Sequence, residues 1–145
     1  MSMQLKKTHV IRSSDGTVTK VKVYETKEKM KYAVKASIDC CNSIIEVTDG
    51  MDSETFLRNQ TVMKSVAMDL QIIGNFMKEM PIELLSLSDI LPDAYGFRCV
   101  IAHDYGNVRF DSNLLWEVVE NDITQMKKDL ESIGELLINE EIELV

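Results

Sequence analysis

A helical stripe of apolar residues near the end of the chain constrains the fold more than any other feature. Its members recur at the spacing that places them on one face of an α-helix. They are Leu115, Val118, Val119, Ile123, Met126, Leu130, Ile133 and Leu137. An apolar helix face is stable only when other elements cover it. We therefore expect a helix of about seven turns, with Asp111 as its N-cap, to form the centre of a helical bundle.

Two earlier segments show the same spacing. The first is a predicted helix over residues 27–48, which ends at Thr48-Asp49-Gly50. The residues on its apolar face are Met30, Val34, Cys41, Ile44 and Ile45. A second helix is predicted from Asp52-Ser53-Glu54 to Met77, with a kink near Gln60 and an end before Pro81. Its apolar residues are Phe56, Val62, Val66, Leu70, Ile73 and Met77.

The remaining helical segment lies between these two regions. Residues 84–91 predict a short connecting turn or helix, and Pro92 suits the first position of the helix that follows. Short connections between substantial helices favour antiparallel neighbours. The sequence thus predicts an all-α, antiparallel bundle of four to five helices.

Residues 8–24 differ from the rest, because their β-branched residues alternate with polar ones on either side of Ser13-Ser14-Asp15-Gly16. This pattern predicts an N-terminal β-hairpin. An isolated hairpin is marginally stable in water, so we expect it to lie on the helices or on a second copy of the chain.

Length and composition place the chain among proteins with one domain, here residues 1–145, with 45% hydrophobic residues. The apolar runs are far shorter than the roughly 18 residues that span a bilayer. Charged and turn residues stand where a signal peptide would have its apolar stretch. We expect a cytoplasmic protein with no membrane span.

The cysteines and histidines give little support for a disulfide or a metal site. Cys40 and Cys41 are neighbours that pair poorly with each other, and Cys99 has no obvious mate. With only His9 and His103 available, a nitrogen and sulfur site would have few ligands. We expect free thiols, no metal and no cofactor.

The net charge of −8 argues against general affinity for nucleic acid, because Lys and Arg contacts to phosphate supply most of that binding. The charge is uneven, since residues 1–35 carry nine Lys or Arg against three Asp or Glu, and residues 111–145 carry two against ten. The basic segment is a candidate surface for an anionic partner. The alternative, that both segments are solvated faces of opposite sign, is favoured by charge patterning.

Arg98 and His103 are the residues best suited to chemistry. A histidine can transfer a proton near neutral pH, and an arginine offers a planar fork to phosphate oxygens. Five residues apart on one helix, they point about 140° away from each other. A two-fold interface would bring two copies of each around one groove. The alternative is that His103 interacts with the last carbonyls of its helix and Arg98 with a local carboxylate, and spacing alone favours it.

The segment around these residues resembles the HepT-like family of the HEPN superfamily. The family pattern is Arg, four residues, His, one residue and Tyr, followed by a helix with a Trp-Glu sequence, and here it is carried by Arg98, His103, Tyr105 and Trp116-Glu117. Upstream, residues 68–75, which include Ile72-Ile73-Gly74, are similar to the family's second helix. The resemblance covers about residues 27–137.

The resemblance implies a dimeric helical bundle that acts as the toxin of a toxin–antitoxin pair and cuts RNA through Arg98 and His103, without a metal. It also implies a minimal nucleotidyltransferase as antitoxin, which transfers AMP to Tyr105. The added phosphodiester and nucleoside would bring negative charge and bulk to the RNA groove.

Some positions depart from the family pattern. Cys99 replaces a polar residue, usually Asn, after the motif Arg, and Gln71 and Asn75 replace two Glu residues of the second helix. We expect these three, with Asp104 beside His103, to support the site. The substitutions and the acidic net charge favour an alternative of another class, a non-catalytic subunit that binds a nucleotide or docks the nucleotidyltransferase. A helical protein with an unrelated role is the third possibility.

Overall fold

Seven helices and three strands follow one another in the computed structural model, which describes residues 7–12, 18–23, 27–105, 110–138 and 143–144 and, within the strands, only the backbone. The strands are β1 (Lys7–Arg12), β2 (Val18–Val23) and β3 (Glu143–Leu144). The helices are α1 (Lys27–Thr48), α2 (Ser53–Leu57), α3 (Gln60–Lys78), α4 (Ile82–Leu85), α5 (Ala94–Asp104), α6 (Asn113–Glu117) and α7 (Ile123–Ile138). A 3₁₀ turn spans Leu91–Asp93, and a π-helical turn spans Val118–Asp122.

Helix α1 has the bounds that its apolar pattern predicts, whereas the predicted second helix is in fact two. The chain breaks at Arg58 and Asn59, because the Asn59 side chain accepts a hydrogen bond of 3.1 Å from the Val62 amide and so begins α3. Asp52 caps α2 in the same way, at 2.8 Å from the Thr55 amide. The expected kink near Gln60 is therefore a helix boundary with its own cap.

Two other helix starts differ from the prediction by one or two residues. Pro92 lies in the 3₁₀ turn that leads into α5 and is not the first residue of the helix itself. Asp111 is not the N-cap of α6, because Ser112 occupies that position and Asp111 accepts hydrogen bonds from the backbone and side-chain nitrogens of Asn113. At both positions, the hydrogen bonds of a turn form in place of the first hydrogen bonds of the predicted helix.

A π-helical turn interrupts the long C-terminal helix, where the sequence predicts an unbroken one. Leu115 and Ile123, both fully buried, are eight residues apart, which on a regular α-helix leaves them about 80° out of line. The residue that a π turn adds restores their alignment on the core face. Val118 and Val119, predicted on the stripe, are only half-buried.

The helices pack as an antiparallel bundle with α3 and α1 at its centre. Helix α3 packs against α5 and α1, and α1 also packs against α7. Neighbouring directions are opposed, since the ring of Tyr32 near the start of α1 lies 5.9 Å from that of Phe76 near the end of α3. Likewise Lys78 at the end of α3 lies 5.1 Å above the ring of Tyr95 at the start of α5.

The strands form one antiparallel sheet in the order β2-β1-β3, with Lys7 opposite Val23 and Arg12 opposite Val18. The hairpin over residues 8–24 stays a prediction as a whole, since its turn and its side chains lie outside the described residues. None of the helices described here is long and apolar enough to cross a membrane.

Candidate functional site

Helix α5 carries the predicted site residues and is the least buried of the longer helices. Only Ile101 is buried in it, whereas α7 buries five residues. Arg98 and Cys99 are half-buried, and Val100, Ala102 and His103 are exposed. The outer face of α5 is thus open, and one anchoring residue and the contact with α3 hold the helix in place.

Gly74 sets the distance between α3 and α5 at the position of Arg98. A Cβ atom at Gly74 would collide with Cβ of Arg98 and would lie 2.8 Å from the Ala94 carbonyl oxygen. No side chain fits there without moving α5. Gly74, quoted above only as part of a family-like segment, is therefore the residue that allows the Arg98 backbone to sit against α3.

Arg98 has no ion-pair partner among the residues that the structure describes. Its Nε is buried and has no hydrogen-bond partner within the described ranges. The interpretation that Arg98 pairs with a local carboxylate is therefore wrong for these residues. A guanidinium nitrogen that is buried without an acceptor is costly for the fold.

His103 lies in the last turn of α5, as predicted, and its side chain is exposed. Because both residues belong to one regular helix, Arg98 and His103 point about 140° apart. A single copy of the chain does not bring them together.

Tyr105 ends α5 in an extended conformation, and its amide donates a 2.9 Å hydrogen bond to the Ile101 carbonyl. Its ring is half-buried and packs edge-on against Phe110, with the ring centroids 5.4 Å apart. Burial raises the pKa of the phenol. Residues 106–109, which follow it, lie outside the described part of the chain, so the predicted accessibility of the hydroxyl stays a prediction.

The four supporting residues lie on the two paired helices but form no network. Gln71 is half-buried and Asn75 is exposed on α3, while Cys99 and Asp104 are half-buried on α5. Within the described residues, no side-chain hydrogen bond joins any of them to Arg98 or His103. Their supporting role remains a prediction.

A partly buried polar cluster of Cys40, Ser43 and Asp69 lies between α1 and α3, and the sequence did not predict it. Burial raises the pKa of Asp69, and hydrogen bonding from Ser43 and Cys40 offsets this only in part. Burial and the neighbouring carboxylate raise the pKa of Cys40 to about 11. Asp69 stands one position before the buried Leu70, so its place in the apolar pattern of α3 does not predict that its carboxyl group is buried. All three cysteines are free thiols.

Comparison with known proteins decides the family. A family model described as "Ribonuclease HepT-like" matches residues 37–133, which include α5 and most of the bundle. The chain belongs to the HepT-like family. This HepT-like protein therefore has the fold class and family that the Arg98, His103 and Tyr105 pattern indicates.

Curated relatives of this HepT-like protein carry ribonuclease names. It is 26% identical to "Putative RNase MJ1380" of Methanocaldococcus jannaschii over 74% of this chain and 99% of the relative. It is 30% identical to "Putative RNase MJ0125" of the same organism, over 63% of this chain and 79% of the relative. It is 25% identical to "Putative RNase TTE0752" of Caldanaerobacter subterraneus, over 64% of this chain and 83% of the relative. No solved structure matches it significantly. The family and these names support a ribonuclease-type function.

Proposed function

We propose that this HepT-like protein is a metal-independent endoribonuclease toxin, in which Arg98 and His103 act on an RNA phosphodiester in a groove shared by two copies of the chain. The observation that carries the proposal is the position of Arg98 on the open face of α5, where its side chain is half-buried and forms no ion pair among the described residues. A guanidinium without a carboxylate partner can donate hydrogen bonds to two phosphate oxygens at once.

The reaction needs a base and a stabiliser of negative charge. His103 takes the proton of the ribose 2′-hydroxyl, and the freed oxygen attacks the adjacent phosphorus atom. The bond to the 5′-oxygen breaks, and that oxygen receives a proton from a protonated histidine of the groove. Arg98 stabilises the charge that builds up on the phosphorane oxygens. The products are a 2′,3′-cyclic phosphate and a 5′-hydroxyl.

A second copy supplies what one chain lacks. Arg98 and His103 diverge on α5, but a two-fold axis beside this helix would set the Arg98 of each copy near the His103 of the other. Exposed apolar side chains flank the motif, with Val100 at 39% exposure on α5 and Met68 at 57% on α3. Burying this surface against a second copy favours the dimer.

Neutralisation by AMP transfer follows from the family resemblance and the position of Tyr105. The phenol oxygen attacks the α-phosphate of ATP, pyrophosphate leaves, and a base of the nucleotidyltransferase takes the phenol proton. Such a base is needed because burial raises the pKa of Tyr105. The AMP phosphate would then occupy the approach to Arg98.

The decisive experiment is cleavage of a defined RNA by purified protein in the presence of a chelator. We expect Arg98→Ala and His103→Ala each to reduce cleavage by about a hundredfold or more, without change in helical content. Arg58→Ala is the matched control, since that exposed arginine pairs with Glu54 one turn away and lies outside α5. Full cleavage by either site variant, or loss of parental cleavage on chelation, contradicts the mechanism.

A second candidate function is that of a non-catalytic subunit that binds a nucleotide or docks the nucleotidyltransferase. Cys99, which offers only weak hydrogen bonding beside Arg98, and the net charge of −8 favour it. In that case the parental protein leaves RNA intact, and Arg98→Ala weakens binding of a nucleotide or of the nucleotidyltransferase instead.

A further inference from the structure

A groove beside the α3 and α5 pair has features that the proposed nuclease site does not use. A cavity of about 360 Å³ lies between α3, the 3₁₀ turn with the first turn of α5, and the π turn with the start of α7. Its floor is apolar and includes Ile73, Phe97 and Val118. Neither Arg98 nor His103 lines it. Its volume falls in the range of sites that bind ligands or anchoring side chains, roughly 300–1,000 Å³.

The charged side chains that line this cavity are all acidic. Asp89, Asp93 and Asp122 contribute carboxylates, and no Lys, Arg or His is among the lining residues. In the part of the chain that the structure describes, none of the three carboxylates forms an ion pair or a side-chain hydrogen bond. Among the described residues, no group of three or more His, Cys, Asp or Glu is placed to hold a metal ion.

The groove continues beyond the apolar cavity along the C-terminal helix. A neighbouring depression of about 470 Å³ shares Asp89 and Ile90 with it and extends to Asp129. Ser88 fixes the wall between them, since its hydroxyl donates a 2.7 Å hydrogen bond to Asp129 and accepts bonds from two backbone amides of the turn. From Val118 to Asp129 the helix rises roughly 16 Å, the length of about five residues of extended peptide.

We propose that this groove binds a basic peptide segment of a partner protein, with one apolar side chain in the cavity and Lys or Arg residues along the carboxylates. Charge complementarity identifies the class of partner, because the groove pairs an apolar floor with unpaired acidic side chains. Its length favours a peptide over a compact organic cation, since only an extended chain fills the cavity and reaches Asp129. Neither Arg98 nor His103 lines this site.

The test uses a fluorescently labelled peptide, Lys-Leu-Lys-Arg-Lys, and its binding to the whole protein followed by fluorescence anisotropy. A matched peptide with Ser in place of Leu should bind roughly tenfold more weakly if the apolar side chain enters the cavity. Asp89→Asn with Asp122→Asn should weaken binding of the first peptide by roughly tenfold, with two carboxylates lost from the groove. The double variant Asp89→Asn with Asp122→Asn should cleave RNA like the parental protein.

The control variant is Asp49→Asn with Glu135→Gln, which removes the same amount of charge from exposed positions outside the groove. The proposal requires this control to bind like the parental protein. Equal weakening in both double variants would mean general attraction to an acidic protein and would overturn it. Equal binding of the Leu and Ser peptides, with displacement of both by spermidine, would also overturn it in favour of a site for small polyamines.

Discussion

Gly74 shows how one missing side chain positions a residue on the neighbouring helix. Helices α3 and α5 approach so closely that a Cβ atom at Gly74 would overlap Cβ of Arg98 and crowd the Ala94 carbonyl. Nε of the same arginine is buried and has no hydrogen-bond partner in the described part of the chain. The packing of α5 against α3 at Gly74 therefore fixes the position of the Arg98 backbone and Cβ.

We expect Gly74→Ala to lower the free energy of unfolding by about 1–3 kcal/mol, because a methyl group inserted into a close helix contact forces the backbones apart. Gly96→Ala is the matched control on α5, since a Cβ there meets nothing within 4 Å. It should raise stability by about 0.5–1 kcal/mol through better helix propensity. Urea denaturation of both variants measures the difference, and similar values for the two would contradict this account of Gly74.

Tyr105 is the residue whose modification separates the toxin hypothesis from the other functions. Incubation with a minimal nucleotidyltransferase, ATP and a magnesium salt should add the mass of AMP to the protein, and Tyr105→Phe should abolish the addition. Tyr95→Phe is the control, because that phenol lies at the opposite end of α5 beneath Lys78. An adduct that persists in Tyr105→Phe shows that the family assignment of this residue is wrong.

At the scale of helix pairs, the interface between α1 and α3 contains a carboxyl group that destabilises the fold when it is charged. One oxygen of Asp69 is buried without a partner among the residues the structure describes. Burial raises the pKa of Asp69 above its ordinary value of 3.8. The folded protein consequently holds this proton more tightly than the unfolded chain does, and stability falls as the pH rises through the interval between the two values.

Asp69→Asn should remove this pH dependence. We expect the variant to be more stable relative to the parental protein at neutral pH than at about pH 4, because only the parental protein must hold a charged carboxylate in the interface. Urea denaturation at both pH values gives the comparison. The exposed variant Asp39→Asn, on the outer side of α1, should show no such change. If the free energies of unfolding of Asp69→Asn and of the parental protein differ by the same amount at both pH values, burial does not raise the pKa of Asp69 and this account is wrong.

At the scale of the whole molecule, α5 stands at the edge of the bundle. Its main neighbour is α3, and its outer face holds Val100 and His103 in solvent. The motif therefore lies on a surface that a second copy can cover, while the regular geometry of one helix keeps Arg98 and His103 apart. The functional unit that we propose is the dimer.

We expect light scattering to give twice the mass of one chain. Val100→Asp should shift the protein towards the monomer, since a charge on a buried apolar interface is costly. Ile82→Asp is the control, because that residue is exposed on α4. A monomeric parental protein, or a dimer unaffected by Val100→Asp, would contradict the proposed interface.

Mixing the inactive variants tests whether the site is shared. A mixed dimer of Arg98→Ala and His103→Ala has one groove half with both residues intact, if each half takes its Arg from one copy and its His from the other. We therefore expect partial recovery of RNA cleavage on mixing. No recovery from variants shown to exchange subunits would place both residues of a site on one chain.

Much of the fold could be predicted because helix formation and its end signals are local. The apolar spacing of residues 27–48 and the stop at Gly50 match α1, whose following turn uses a positive φ of 74° at that glycine. The break at Asn59 could not be distinguished from a kink, since a cap competes with helix continuation by a single hydrogen bond. The eight-residue spacing from Leu115 to Ile123 does not fit a regular α-helix and so indicates the π turn. The apolar stripe as a whole still fits one continuous helix, and for this reason the turn was not predicted.

The sequence by itself determined the helical class, the approximate positions of the main helices and the family motif, because apolar periodicity, caps and the order of Arg98, His103 and Tyr105 are properties of neighbouring residues. Only the tertiary structure decided which polar groups are buried without partners and which surfaces remain open. The approach of Gly74 to Arg98, the burial of Asp69 and the acidic groove around Asp89 and Asp122 each join residues from separate helices. Such long-range contacts depend on how helices pack, and local spacing carries little information about them.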